Sequence, residues 1–544
     1  MSELEWWRTA AIYQIYIRSF ADGNGDGIGD IAGIRSRLGY LAGLGVDAIW
    51  ITPWYASPNH DGGYDVSDYR AIAPEYGDLD EAELLIEEAH RHGLRVILDV
   101  VPNHTSTEHR WFQAALACPP GSPERALYHF LDGRGPDGNL APNDWLSTFG
   151  GSAWQRVSEA DGRPGQWYLH LFDPTQADLN WSNPQVHKEF EDILRFWFDR
   201  GVDGFRIDVA AGLVKHPEYP DLGYGEDDLL VLTNVPNHPH RDRDGVHAIY
   251  RQWRSLADEY DPPRIYVAEA WVADPERQAR YVAPGQLHTA FNFAFLQSAW
   301  EASELFAVIE TTLNTMSLAG APPTWVLSNH DVERTVTRYG RANTRKQQGK
   351  SGHELGPVDE RLGRRRARAA LLLMLALPGV AYLYQGEELG LPDWMDIPED
   401  RLQDPIWTRS GGRRRGRDGC RIPLPWTRDP HGAGFGSGDP WLPQPQGWEK
   451  LSAESQLDDL GSTYHLVAQA LRIRRELDAP QELELVGRIG SVLRFRRGQS
   501  FECVVNLGGT AFPVPPKAKM LLRSDLVDAT PDPLEPDAAA WWLW

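Results

Sequence analysis

Cysteine is scarce: the 544 residues hold three, Cys118, Cys420 and Cys503, widely spaced and odd in number. That pattern excludes a disulfide framework and fits a reducing compartment. No uninterrupted apolar run approaches the ~20 residues that a membrane-crossing helix requires. The N-terminal MSELEWWRTA has no charged region leading into an apolar stretch, so no secretory signal is read there. Positive charge is short too, with 54 Lys and Arg against 77 Asp and Glu and a formal net charge of -23. Such a chain is repelled by phosphate backbones and anionic lipid surfaces, which excludes nucleic acid and membrane as partners. A cytoplasmic protein, monomer or homodimer, is expected. Two basic runs stand out against this background, GRRRARAA (363–370) and GRRRGR (412–417). Each reads as a solvated helix face or loop, with a local anion patch as the alternative.

What is present begins with rings. The 22 Trp and 19 Tyr suit sugar stacking, although rings more often fill cores. Three segments, LAGLGVDAIWITP, EEAHRHGLRVILDVVPNH and FWFDRGVDGFRIDVA, share one pattern: a helical stretch ends at a glycine, and an apolar or β-branched run follows. The glycine suits the left-handed position after a helix, and the run suits a strand buried on both faces. Helix-to-strand alternation of this kind marks a parallel α/β sheet. The glycines are Gly45, Gly93 and Gly201, 48 and 108 residues apart. The longer gap holds about 60 extra residues, far beyond a compact βα loop. That material, residues 109–174, shows no clear helical period and predicts an irregular lobe after the third strand.

Further strands are predicted in RIYVAEAW (264–271), TWVLSNHD (324–331) and VAYLYQGEE (380–388). Polar residues crowd their carboxyl ends, where a (β/α)8 TIM barrel builds its active site. Beyond about residue 425 the chain is rich in Pro and Gly. STYHLVAQALRIRREL then reads as a helix, and SVLRFRRG, FECVVNLGG and KMLLRS alternate as antiparallel strands do. The expected organisation is an α/β barrel over residues 1–108 and 175–478, a lobe over 109–174, and a C-terminal antiparallel β domain over 479–544.

The strand ends collect Asp99, Asn103 and His104; Arg206 and Asp208; Glu269; His330 and Asp331. Three carboxylates with an arginine and histidines in one mouth suit glycosidic bond cleavage by paired carboxyl groups. Arg206, two residues from Asp208 on one strand, points to the same face and favours its ionised form, as a nucleophile needs. Glu269 has no adjacent cation and sits beside Ala268, Ala270 and Trp271, surroundings that raise a carboxyl pKa, as an acid/base needs. Asp331 would grip sugar hydroxyls and favour the distorted ring. A buried Arg206–Asp208 ion pair with no catalytic role is the plainer reading. It loses weight because Glu269 and the NHD strand end occur in the same chain.

DVVPNH (99–104), GFRIDVA (204–210), EAW (269–271) and SNHD (328–331) together resemble, in order, the four motifs of the α-amylase family of glycoside hydrolases. QADLN (176–180) resembles a further motif of the α-glucosidase and oligo-1,6-glucosidase branch, with Ala177 where proline is usual. The resemblance implies a barrel with a lobe after the third strand and a C-terminal β domain. By position it makes Asp208 the nucleophile, Glu269 the acid/base and Asp331 the transition-state stabiliser. Asp65, His104, Arg206 and His330 would hold the terminal glucose, with Tyr64 and Phe172 as its aromatic platform. GRDGCRIPLPW resembles a late loop of this branch and would bring Arg417 to the same sugar.

DGNGDGIGD (22–30) offers oxygens at alternate positions with glycines for a tight turn. It begins like a calcium hand, but Gly33 stands where a bidentate glutamate belongs, which excludes that motif. In the enzymes it resembles, the loop carries a structural Ca2+ or Mg2+ through Asp22, Asn24, Asp26, the Ile28 carbonyl and Asp30; the alternative is a polar turn without metal. No organic cofactor is expected. The sequence thus points to a retaining exo-α-glucosidase acting on maltose, malto-oligosaccharides and other short α-glucosides. Val209, after the nucleophile, resembles the residue of enzymes that accept α-1,6 bonds. Relatives of this architecture also hydrolyse sucrose or transfer glucose. From other classes, a sugar-binding module or a transporter-escort subunit is disfavoured, since the three carboxylates are kept and no span is present.

Overall fold

The computed structural model describes residues 3–159, 161–223, 237–345, 352–477, 483–525 and 532–544. Gly45 closes the helix Leu38–Leu44 in the left-handed conformation, with φ 95°. Gly93 and Gly201 turn the chain in the same way, with φ 75° and 96°. Each releases the chain into a strand of one parallel sheet. Its strands are β1 (Ala11–Ile15), β2 (Ala48–Ile51), β3 (Arg95–Val100), β4 (Gly204–Ile207), β5 (Ile265–Ala268), β6 (Thr289–Ala290), β7 (Thr324–Val326) and β8 (Val380–Tyr384). They pair in parallel in the order β6-β5-β4-β3-β2-β1-β8-β7. Eight strands so ordered form a barrel that is nearly closed, with β6 and β7 at its two edges not paired with each other among the described residues. The TIM-type architecture read from the sequence is therefore present. Two of its strands, β1 and β6, were not legible: β1 has no helix and glycine leading into it, and β6 is two residues long.

Side chains divide between two apolar regions, as alternation along a strand requires. Ile12, Trp50, Ile97, Val267, Val326 and Tyr382 form a buried cluster within the barrel. The opposite faces join a larger core shared with the surrounding helices. The helix Leu79–Arg91 shows why such helices form. Asp78 caps it, and Ala82, Leu85, Ile86 and Ala89 recur on one buried face.

The segment after β3 is more regular than its composition indicated. It holds the helix Arg110–Ala117 and an antiparallel sheet of Phe130–Leu131, Pro164–Leu169 and Trp154–Ser158. Short strands broken by Gly and Pro hide this order from any periodicity count. At the far end a five-stranded antiparallel sheet is built from Leu483–Ile489, Val492–Arg497, Phe501–Asn506, Ala538–Leu543 and Lys519–Arg523, in that spatial order. The expected boundary at residue 479 lies outside the described residues. The basic run 363–370 belongs to the helix Glu360–Ala376, which this sheet packs against. Arg366 pairs with Asp537 at 3.0 Å and Arg368 donates to the Ser524 carbonyl at 3.0 Å, so the run stitches barrel to β domain. Among the described residues no helix is long and apolar enough to cross a membrane.

Candidate active site

Register places Arg206 of β4 beside Asp99 of β3 and Val267 of β5. Its side chain points into the barrel, 1% exposed, beneath the carboxyl ends of the strands. There one guanidinium meets three acids: Nη1 lies 2.8 Å from Asp99 Oδ1 and 2.6 Å from Asp208 Oδ1, and Nη2 lies 3.2 Å from Glu269 Oε2. The expectation that Glu269 lacks a cation is thus corrected. Its cation comes from the neighbouring strand rather than from its own.

Two more donors fix Glu269. The Val209 amide donates to Oε2 at 2.8 Å and the Trp271 indole to Oε1 at 2.7 Å. To aim that amide, Val209 adopts φ 48°. A β-branched residue is strained in this left-handed region, at a cost on the order of 1–2 kcal/mol. Strain immediately after Asp208 is therefore tied to the placement of Glu269.

Burial pushes Asp208 well above the usual carboxylate range, with Glu269, Asp99 and Asp331 adding to the rise and Arg206 opposing it. Burial also raises Glu269, against Arg206, the Val209 amide and Trp271. It carries Asp99 to about 6. Arg206 therefore does not simply hold Asp208 charged, as its adjacency implied. One positive charge serves three buried carboxyls, which must share protons.

Asp331 differs. Burial alone would raise it, but His330, Arg417 at 3.0 Å and Arg421 at 3.1 Å hold it below the ordinary range. His330, 3.4 Å away, is pushed down to about 3 by burial and is neutral near pH 7. With the His330 ring neutral near pH 7, its charge is absent there and Arg417 and Arg421 are what keep Asp331 ionised.

These groups open on a cavity of about 610 Å3 lined by Asp61, Tyr64, His104, Phe172, Asp208, Glu269, Asp331 and Arg417 among others. That volume suits a small oligosaccharide. Arg206 and His330 stand behind the wall as supports. His330 stacks on Tyr64, with ring centroids 5.3 Å apart, and its Nδ1 is 2.6 Å from Gln14 Nε2. The Tyr64 hydroxyl donates to Asp99 at 2.8 Å. His104, pushed down to about 4 by burial and so neutral, lies beside Phe172 with ring centroids 5.3 Å apart.

Asp65 is the second correction. It is fully buried, and its oxygens accept the Ser57 hydroxyl and the amides of His60 and Asp61, so it braces the turn instead of facing the cavity. Asp61, four residues earlier in the same loop, faces the cavity in its place. Arg417 meets it at 2.6 Å, and Gln176 of the QADLN segment donates to it at 3.1 Å. The polar turn NHDGGYD offers both aspartates, and only the three-dimensional path distinguishes them. Arg417, expected at this site, joins Asp61, Asp331 and Asp404, the last at 2.6 Å.

The 22–30 loop follows β1. Asp22 accepts the Gly25 and Gly27 amides at 2.6 and 3.0 Å, and Asp26 accepts the Ile28 amide at 2.8 Å. Asp30 caps the next helix through the Gly33 amide at 2.6 Å and also accepts the amides of Gly23 and Asn24. Asn24 Nδ2 donates to Asp26 at 3.2 Å. Gly27, with φ 90°, lies so close to the Asp439 carbonyl that any side chain would collide with it, so the Pro- and Gly-rich late segment packs here. Among the described residues no three His, Cys, Asp or Glu side chains converge as a metal cluster. A cation here would draw on Asn24 and the Ile28 carbonyl as well as on carboxylates.

Comparison with known proteins identifies the family and the fold. The model of the alpha amylase catalytic domain matches residues 14–482. A trehalose-6-phosphate hydrolase of Bacillus subtilis (strain 168) is 34% identical over 96% of this chain and 94% of its own. A probable alpha-glucosidase of Rhizobium meliloti (strain 1021) is 37% identical over 93% of this chain and 90% of its own. The crystal structure of an alpha-glucosyl transfer enzyme superposes with a TM-score of 0.84 at 35% identity, covering 99% of each chain.

Proposed function

The chain belongs to the alpha-amylase family of glycoside hydrolases, and from that premise we propose a retaining, exo-acting α-glucosidase that frees glucose from the non-reducing end of maltose, malto-oligosaccharides and similar short α-glucosides. The observation that carries the reading is the single Arg206 guanidinium bridging Asp208 and Glu269 at the cavity wall, with Asp331 held ionised nearby. Arg206 lies closer to Asp208 (2.6 Å) than to Glu269 (3.2 Å), which favours the negative charge on Asp208 against the stronger rise that burial gives it, and the reaction takes the shared proton from Glu269.

Asp208 attacks the anomeric carbon as the glycosidic C–O bond breaks, and Glu269 passes its proton to the leaving oxygen. The glucosyl ester so formed is opened by water, whose proton returns to Glu269, and glucose leaves with its α configuration retained. While Glu269 is ionised between the two steps, the Val209 amide and Trp271 indole stabilise it. Asp331 and Asp61, joined by Arg417, grip hydroxyls of the terminal sugar.

The same reading places a structural Ca2+ or Mg2+ in the 22–30 loop. Asp22, Asn24, Asp26, the Ile28 carbonyl and Asp30 supply the hard oxygens such an ion takes, since each oxygen that accepts an amide keeps a second lone pair. A cytoplasmic monomer or homodimer completes the proposal, in keeping with three unpaired cysteines. The test is initial glucose release from maltose and isomaltose, with Asp208→Asn as blank. Faster release from maltose supports the reading. Faster release from isomaltose moves the protein to the oligo-1,6-glucosidases, the alternative that Val209 on the cavity wall favours. Silence on both refutes it.

A further inference from the structure

The second basic run, 412–417, is only partly accounted for by Arg417. Arg413, Arg414 and Arg415 line the same cavity as Asp208 and Glu269. Arg413 is exposed and the other two are half-buried, whereas Asp208 and Glu269 are 7% and 8% exposed. The arginines therefore stand at the solvent side and the carboxylates at the inner end. Arg413 Nε donates to the Ser410 carbonyl at 2.8 Å and Arg415 donates to the Ile397 carbonyl. Among the described residues none of the three forms an ion pair, although the chain carries 77 Asp and Glu. Acids on the same lining are already engaged: Glu333 pairs with Arg341 at 2.6 Å, and Asp393 accepts the Arg334 amide at 3.0 Å. Buried His240, also on this lining, has neither ring nitrogen hydrogen-bonded.

Three adjacent arginines repel one another, and among the described residues no carboxylate pairs with them to offset that repulsion; Arg415 lies over the Trp407 ring at 5.9 Å. A planar guanidinium with free donors at a cavity mouth is suited to an oxyanion. The glucosyl unit occupies the acidic end, so an oxyanion reaching the arginines must sit on the leaving part of the substrate. We propose that Arg413, Arg414 and Arg415 form an aglycone subsite for α-glucosides whose leaving group carries an anionic substituent, a phosphate or a carboxylate. This deepens the hydrolase reading and rests on it.

The experiment compares each anionic substrate with its neutral parent: trehalose 6-phosphate with trehalose, and maltobionate with maltose. For wild type the ratio of kcat/KM, anionic over neutral, is expected to be about tenfold at low salt and to fall in 0.5 M NaCl, as about one charge-assisted contact would give. In the triple variant Arg413→Gln, Arg414→Gln, Arg415→Gln the ratio is expected to fall toward one. Preference for the first pair alone assigns a phosphate, and for the second alone a carboxylate. Ratios near one in wild type, or ratios that the triple variant leaves unchanged, overturn the proposal. Calorimetric binding of the same four sugars to Asp208→Asn supplies the ratio without turnover. Intact anion preference with no glucose release would count against the hydrolase reading alone.

Discussion

Replacing Arg417 by glutamine withdraws one guanidinium from three carboxylates, Asp61 at 2.6 Å, Asp331 at 3.0 Å and Asp404 at 2.6 Å. Asp404 is the worst placed to lose it, with a side chain 0% exposed, whereas Asp331 is 27% exposed and keeps Arg421 at 3.1 Å. Stripping one partner from a buried pair costs about 3–5 kcal/mol. The amides of Ile406 and residue 417 still bond to Asp404, which puts the loss near the lower end, about 3 kcal/mol. An unfolding entropy of about 2.1 cal/mol/K per residue amounts to about 1.1 kcal/mol/K for 544 residues. The Tm should then fall by about 3 °C if the chain melts as one unit, and by more if the barrel melts alone.

The loss should depend on pH. Burial would raise Asp404, but Arg417 and Arg421 more than reverse it and leave it lowered. A lowered native pKa stabilises above the unfolded value of about 3.9, and that contribution is lost as pH falls through the native one. Burial lifts Asp61 to about 6 even with Arg417 in place. Without Arg417 both carboxyls rise and take up protons as the medium acidifies, which relieves the unpaired charge. The Tm gap between variant and wild type should be full at pH 8 and narrower at pH 5 in scanning fluorimetry. A gap under about 1 °C, or one equal at both pH values, would refute the argument.

Asp61→Ala is expected to raise KM for maltose about tenfold or more with little change in Tm, since its carboxylate faces the cavity. Asp65→Ala should cost about 1–3 kcal/mol of stability by freeing the amides it satisfies; the reverse pattern would show that the two roles are exchanged. Because burial raises Glu269, the alkaline limb of kcat/KM should lie above the ordinary glutamate value of about 4.3, with activity falling as pH rises and the acid proton is lost. Glu269→Gln should remove that limb and slow turnover at least about 100-fold, and a retained limb would send the search for the acid elsewhere. Chelation should lower the Tm by about 2–3 °C, reversibly with Ca2+, as a site saturated at about 100 times its Kd would require. A Tm indifferent to chelator and to added Ca2+ and Mg2+ would remove the ion from the 22–30 loop.

What could be read from the linear chain was whatever repeats or lies within a few residues. Helix, left-handed glycine and apolar strand recur at Gly45, Gly93 and Gly201, and six barrel strands followed from that grammar and from polar strand ends. The sheet of the inserted segment escaped because its strands are short and interrupted, so no period builds up. The strand Ala538–Leu543 escaped for a different reason. It is apolar on both faces, packed against Val504 on one side and, through the Trp541 indole, against the Leu372 carbonyl on the other, and such a run shows no alternation.

The site was legible one residue at a time, and its electrostatics were not. Arg206 and Asp208 are two residues apart, so their pairing was visible. Asp99 and Glu269 lie 107 and 63 residues from Arg206, yet parallel register sets their strands on either side of it and all three acids reach one guanidinium. Adjacency therefore credited Asp208 with a whole positive charge of which it receives a share, and gave Glu269 none where it has some. The proton that the proposed mechanism requires on Glu269 is consequently a property of the cluster. A substitution at Asp99, a residue assigned no step, should shift the pH profile by removing one claimant on Arg206 and leaving Asp208 and Glu269 more of its charge.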